Sequence, residues 1–312
     1  MGMRNRFRSF IVLLAVLVAG CGGVGKPAPK NMSATPRVLA VETFLADIAQ
    51  NVAGDRLKVE VLLPIGVDPH SYEPVPSDIA RVAESDLIII NGAGAEAFFQ
   101  KLLANSGSQA QVIEASQGLT PRQPGAQEAA QGTGAAETDP HYWVDPVSAI
   151  KYVENIRDAL SKVDPVWATS YSKNAEAYIA QLNDLDNWIR QQVALIPEGR
   201  RLLVTNHESL GYYADRYGFK IVGTIIPSVT TEASPSAQSL AALENAIRAT
   251  GAPAVFLESG VNPQMAQQVS RETGIKVAPE LYTHSISTAG GPAPTYIDML
   301  KYNTQVIVEA LK

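Results

Sequence analysis

Short β-branched runs alternate with helical patterns throughout residues 37–311. In the first half, "RVLAVE", "LKVEVLLP", "LIIING" and "QVIEAS" predict strands. The stretches "TFLADIAQNVAG", "PSDIARVAESD" and "AEAFFQKLLANSG" predict helices. After residue 200 the theme returns, with "LLVTN", "FKIVGTII", "PAVFLES" and "IKVAPE" as strands. The helices there are "SLGYYADRYG", "SAQSLAALENAIRATG", "NPQMAQQVSRETG" and "TYIDMLKYNTQVIVEAL". A helix between two strands carries the chain back across the sheet, so successive strands run parallel. The pattern restricts the chain to an α/β fold with mostly parallel sheets, in two α/β lobes. No repeat at the level of residues relates the halves.

Between them lies "DPVWATSYSKNAEAYIAQLNDLDNWIRQQVALIPEG". Tyr171, Ala175, Tyr178, Leu182, Leu185 and Ile189 recur at steps of four and three, one apolar stripe on a helix. Pro165 suits the start, and Pro197 with Gly199 the stop. About 30 residues at 1.5 Å each make a rod of roughly 45 Å, long enough to span both lobes and stiff enough to resist hinge bending. The expected division is an N-terminal lobe at 37–164, a connecting helix at 165–196 and a C-terminal lobe at 197–312. A Gly/Ala/Gln/Pro-rich stretch at 118–138 without apolar periodicity predicts a mobile loop, serving as a spacer or lid or simply disordered.

The N-terminus precedes the fold. Arg4, Arg6 and Arg8 stand among the first ten residues with no carboxylate, and the apolar run "IVLLAVLVAG" follows. A basic start, a short apolar run and small residues describe a secretory signal at 1–20. The run is shorter than the roughly 20 apolar residues a spanning helix needs. "VAGC" resembles the bacterial lipobox, which makes Cys21 a lipidation site and 21–36 a flexible tether to a membrane. An ordinary cleaved signal or a free cysteine are the alternatives. Cys21 is the only cysteine, so an exported domain must be stable without a disulfide. A formal net charge of −6, with no Lys/Arg cluster beyond the signal, argues against a nucleic-acid partner.

The chain has four histidines. His70 sits in "PIGVDPHSYEP", His141 in "DPHYWVDP", His207 in "LLVTNHESLG" and His284 in "PELYTHSIST". Each falls at or near the C-terminal end of a predicted strand, the edge where open α/β sheets bind ligands. A structural or surface role is the simpler reading of any one of them. All four in equivalent places, with none elsewhere, point instead to one shared site. Neutral imidazole is the commonest protein metal ligand, suited to Zn, Cu, Fe and Ni.

Enzymatic readings are weaker. "HESLG" begins like the zinc-protease motif, but Gly211 stands where the second histidine is needed. Catalytic zinc keeps three protein ligands and an open position, whereas four candidate ligands imply a closed site that holds its ion. There is no G-x-S-x-G elbow and no P-loop, and Cys21 lies at the cleavage point.

The stretches "DPHSYEPVPSDI", "DPHYWVDP", "TNHESLGYYADRYGF", "FLESGVNPQ" and "LYTHSIST…PTYIDMLKYN" together resemble the metal-specific solute-binding lipoproteins of bacterial ABC importers for zinc and manganese. The resemblance covers nearly the whole mature chain. It implies two α/β lobes joined by a long backbone helix, with one metal in the interlobe cleft. It also implies an extracytoplasmic, lipid-anchored monomer that is not an enzyme and that hands its metal to a membrane permease. By motif the implied ligands are His70, His141, His207 and the residue at 284. Manganese binders of the family often carry glutamate at the third position and zinc binders usually histidine, so His207 favours Zn²⁺. The fourth position is usually aspartate, and here it is His284. The His-rich acidic insert of many zinc members is absent from 118–138.

Four neutral imidazoles would leave the full charge of a dication uncompensated, and burying unpaired charge is costly. Carboxylates accepting ring N–H bonds could offset it. The candidates are Asp68, Asp139, Glu208 and Glu258, although Asp139 reads equally as a turn cap and Glu208 as a helix N-terminal acid. Alternatively, His284 points away and a carboxylate or water takes the fourth place. Mn²⁺ or Fe²⁺ in the same role, a surface adhesin stabilised by metal, and a zinc hydrolase are the competing functions. Deprotonation of four imidazoles predicts affinity falling steeply below about pH 6.5.

Overall fold

The computed structural model describes Met1 and residues 35–125 and 138–312. The predicted signal beyond Met1, Cys21, the tether up to residue 34 and residues 126–137 of the predicted loop lie outside them. Four strands form the first sheet: β1 (Val38–Ala40), β2 (Val59–Val61), β3 (Leu87–Ile90) and β4 (Gln111–Glu114). Their order is β2-β1-β3-β4, all parallel. Side chains alternate across a strand, and both faces here are buried. Val38, Ala40, Leu87 and Ile89 enter one apolar cluster, while Leu39, Val41, Ile88 and Ile90 enter another. That is why "LIIING" reads as an unbroken apolar run.

The second half has β5 (Leu202–Thr205) paired with β6 (Lys220–Thr224), and β7 (Ala254–Val255) with β8 (Lys276–Val277), again parallel. A bridge between Thr205 and Phe256, closed by Phe256 N–H on Val204 O at 2.8 Å, sets β5 beside β7. The resulting order, β6-β5-β7-β8, repeats the winding of the first sheet. This is an internal repeat of topology that no residue pattern betrays. β7 and β8 are shorter than their apolar runs predict. Pro253 has no N–H to give a ladder, and beyond Val255 the pairing continues only as bridges at Phe256 and at Glu258–Leu281.

The helices are α1 (Thr43–Ala53), α2 (Pro76–Glu84), α3 (Phe99–Ser106), α4 (Pro146–Val163), α5 (Ala168–Val193), α6 (Gly211–Tyr217), α7 (Ala237–Thr250), α8 (Gln264–Thr273) and α9 (Tyr296–Leu311). The connecting helix begins with a 3₁₀ turn at Pro165–Trp167, closed by Trp167 N–H on Asp164 O at 3.1 Å, and becomes α-helical at Ala168. It ends at Val193, so the 26-residue helix is about 39 Å long. Its whole predicted stripe is buried in one cluster, together with strand residues of both halves, Leu203, Ile221 and Phe256 among them. Helices α1, α4 and α9 pack against it. The two α/β lobes therefore share a continuous apolar layer around α5, and residues 35–312 form one compact unit. Among the described residues no helix is long and apolar enough to cross a membrane.

The lobes also touch near His70. Gly260 has φ +86°, and a Cβ built on it would lie 2.6 Å from the carbonyl oxygen of Gly66, in the loop leading to His70. Backbone cannot swing aside as a side chain can. Gly260→Ala is expected to destabilise the protein by about 1–3 kcal/mol in urea unfolding. An unchanged midpoint would show that these loops do not press on one another.

Candidate metal centre

Four segments deliver the histidines. His70 lies in the loop after β2, where Asp68 Oδ1 accepts its backbone N–H at 2.9 Å. His207 follows β5, and His284 lies just past β8. His141 departs from the expectation that all four follow strands. It is separated from β4 by the 118–138 segment and stands before a 3₁₀ turn, Tyr142–Val144, that leads into α4. Asn91, just after β3, pins this segment by donating from Nδ2 to Pro140 O at 3.0 Å.

The structure brings all four imidazoles together. Their ligand atoms lie within 4.8 Å of one another, and the ring centroids are 5.0–5.8 Å apart. His141 and His207 have no exposed surface, while His70 and His284 keep 5% and 7%, so solvent reaches the cluster from their side. The Nε2 atom of His141 is 3.3 Å from the Nε2 atoms of His70, His207 and His284 alike. A tetrahedral zinc with bonds of about 2.0–2.1 Å has ligand–ligand edges of about 3.3–3.4 Å.

The hydrogen bonds behind the rings determine what these nitrogens present. His141 donates from Nδ1 to Asp139 Oδ1 at 2.8 Å, and His207 from Nδ1 to Glu258 Oε1 at 2.6 Å. A neutral ring that donates from Nδ1 has only a lone pair on Nε2. Two lone pairs facing at 3.3 Å repel unless a cation or a proton lies between them. Glu258 also accepts from Ser209 Oγ at 3.1 Å and Thr283 Oγ1 at 2.5 Å, and its Oε2 is 3.5 Å from His284 Nδ1. One carboxylate thus serves two rings.

Of the four carboxylates expected behind the rings, Asp139 and Glu258 take that place. Asp68 does something else. Its oxygens accept the His70 backbone N–H and the hydroxyls of Ser71 and Thr231. Glu208 is buried beside His207 with its backbone N–H on Ser228 O, and the Nδ1 atoms of His141, His207 and His284 are accounted for without it.

Protonation follows from these partners. Burial holds His70 down to about 4, and holds His141 and His284 well below the ordinary imidazole range. At His207 burial also disfavours the cation, but the Glu258 charge and hydrogen bond outweigh it and raise the pKa. Burial lifts Asp139 to about 6. Below the raised His207 pKa a metal must therefore displace one proton, from His207. Affinity is complete above that pKa and lost as pH falls through it. We expect about tenfold loss of Zn²⁺ affinity per pH unit below the raised His207 pKa, steepening toward two protons below about 6 as Asp139 protonates. A four-proton slope in competition titrations, as the unperturbed imidazoles predict, would contradict this assignment.

Trp143 escaped the sequence reading. Its indole stacks on Phe44 at 4.6 Å, lies 5.0 Å from the His141 ring, and donates from Nε1 to Thr283 O at 2.6 Å. It thereby ties the His141 segment to the residue before His284. The only signal was an aromatic two residues after a candidate ligand, which core packing explains equally well.

The family model described as "ZnuA: Zinc-uptake complex component A periplasmic" matches residues 38–310. The chain belongs to this ZnuA family. As a member it is a substrate-binding receptor of a metal ABC transporter. Among curated relatives, a manganese-binding lipoprotein MntA of Halalkalibacterium halodurans is 35% identical, covering 98% of each chain. An iron-binding protein YfeA of Yersinia pestis is 34% identical, covering 90% of this chain and 88% of its own. Among solved structures, the periplasmic zinc-binding protein TroA of Treponema pallidum superposes with a TM-score of 0.79 at 27% identity, covering 89% of this chain and 99% of its own. The names of these similar proteins thus divide among three metals.

Proposed function

We propose that this chain captures Zn²⁺ outside the cytoplasm and delivers it to the permease of an ABC importer, held to the membrane as a monomer by a lipid on Cys21. The ion is cargo, bound by His70, His141, His207 and His284 between lobes at 37–164 and 197–312. The observation that carries the reading is the convergence of four buried imidazoles, their ligand atoms within 4.8 Å of one another, with the three edges from His141 Nε2 at 3.3 Å, as a tetrahedral zinc would set them. The ligands are four imidazoles with no carboxylate among them, which suits Zn²⁺ better than the harder Mn²⁺. Asp139 and Glu258, buried behind the rings, supply two negative charges to balance the dication. A manganese role is favoured by the name of one relative and by nothing in this ligand set, while an iron role has the name of the other and a metal that imidazole also suits.

A purely structural role for the metal fits poorly with an apolar core that closes around α5 without the histidines. The test is competition between the two ions for metal-free protein. Zn²⁺ should displace Mn²⁺ with at least about 100-fold preference. Equal affinity, or Mn²⁺ retained against equimolar Zn²⁺, would overturn the zinc assignment.

A further inference from the structure

Asp139 is held unevenly. Its Oδ1 accepts both the backbone N–H of His141 at 3.0 Å and the ring Nδ1–H at 2.8 Å. Its Oδ2 is buried with no hydrogen-bond donor, and the Arg122 guanidinium faces it, with Nη1 at 3.8 Å. A carboxylate fixed through one oxygen can still turn about its Cβ–Cγ bond, and a cation opposite the other oxygen removes that freedom.

Arg122 is itself clamped. Its Nε and Nη2 donate to the two oxygens of Asp215 on α6 at 2.9 and 3.2 Å, the two-pronged geometry available to a guanidinium but not to an ammonium. Its backbone N–H donates to Tyr212 Oη at 3.2 Å, and that hydroxyl donates to Asp139 O at 2.9 Å. Residue 211 must be glycine for this, since a Cβ there would lie 2.6 Å from Nη1. The Arg122 side chain is 7% exposed and that of Asp215 is 55% exposed. A path of contacts therefore runs from a surface carboxylate through a buried cation to the carboxylate that orients His141.

We infer that Arg122 is a positioning residue for metal capture: it locks the Asp139 carboxylate behind His141, and Asp215 holds it there from the surface. The inference rests on the metal-receptor reading. Its consequence is kinetic as well as energetic, because a His141 ring free to turn lets go of its ion sooner. Asp215, reachable from solvent, is where ionic strength or a docked partner would act on that rate.

The test is a double-mutant cycle on the full chain. Zn²⁺ release into excess chelator and the Co²⁺ absorption bands are measured in wild type, Arg122→Gln, Asp139→Asn and the double variant. Arg122→Gln should speed Zn²⁺ release by about tenfold, the lower end for a partner behind a ligand, and change the Co²⁺ bands. Asp139→Asn should do at least as much, and the double variant should match it within about twofold, since both changes act through one contact.

Multiplicative effects, or wild-type release from Arg122→Gln, would overturn the inference. Should that variant not fold, Arg122→Lys keeps the charge and loses the fork. An intermediate release rate then supports the inference, and a wild-type rate with wild-type Co²⁺ bands refutes it. A wild-type chain that holds neither ion sinks the receptor reading and this one with it. One that holds both ions while Arg122→Gln is indistinguishable sinks this one alone.

Discussion

His141→Ala is expected to weaken Zn²⁺ binding by roughly 10²–10³-fold, one ligand's share of the about 10–16 kcal/mol that a four-ligand zinc site supplies. His141 is the ligand to remove first because its Nε2 is the common vertex, 3.3 Å from each of the other three. The substitution also takes the ring N–H from the buried Asp139 Oδ1, leaving it the backbone N–H of residue 141. A hydrogen bond to a charged group is worth about 1.5–3 kcal/mol, so the metal-free protein should lose stability as well. Competition against a fluorescent chelator reads the first effect and urea unfolding the second. A loss of affinity under tenfold would mean that the other three histidines hold the ion by themselves.

Glu258→Gln should have two separable effects. The first is on binding. Glu258 orients His207 directly and faces His284 at 3.5 Å, so replacing it with an amide should cost about 10–100-fold in Zn²⁺ affinity. The one-proton pH dependence above pH 6 should also flatten, because the Glu258 charge is what raises His207.

The second effect is on the metal-free protein. Burial would raise the Glu258 pKa, but the His207 charge and hydrogen bond overcome it and hold the carboxyl at about 2, below its ordinary 4.5. That contribution to stability is present above 4.5 and lost as pH falls toward 2. The His207 pKa is raised, so its contribution is complete below 6.5 and lost as pH climbs through the folded value. Both halves of the ion pair are in force between about 4.5 and 6.5. In that window Glu258→Gln should destabilise the metal-free protein by about 3–5 kcal/mol, the usual result of breaking a buried pair from one side. The same loss at pH 5.5 and pH 9 in urea unfolding would show that no such pair exists.

Periodicity made much of this architecture legible. The run Tyr171, Ala175, Tyr178, Leu182, Leu185, Ile189 announced α5 and its buried face, and the alternating strands and helices announced parallel sheets. Two Asp-Pro-His segments and the strand-end positions of His207 and His284 singled out the histidines that the fold gathers. The carboxylates behind them were only half legible. Asp68 and Asp139 hold the same place in the same tripeptide, Asp-Pro-His, and both accept the histidine backbone N–H, yet only Asp139 also accepts from the ring while Asp68 turns to hydroxyls. Arg122 gave no local sign, and Trp143 only an aromatic two residues after a candidate ligand, which core packing explains equally well.

The difference is one of range. Helix and strand patterns are written within a few residues, by side chains that share a face, and the kinds of donor available are a matter of composition. Which groups meet depends on pairs 51 residues apart for the His207 ring and the Glu258 carboxylate, and 143 apart for the rings of His141 and His284. Trp143 and the Thr283 carbonyl are 140 apart. Those pairs exist because two sheets of the same winding are held against one helix, which brings their loop-bearing edges face to face. Residue identity therefore specified the elements and the stock of imidazoles, and the packing of the two lobes specified the ligand geometry, the one histidine of the four whose pKa is raised and the route by which Arg122 bears on His141.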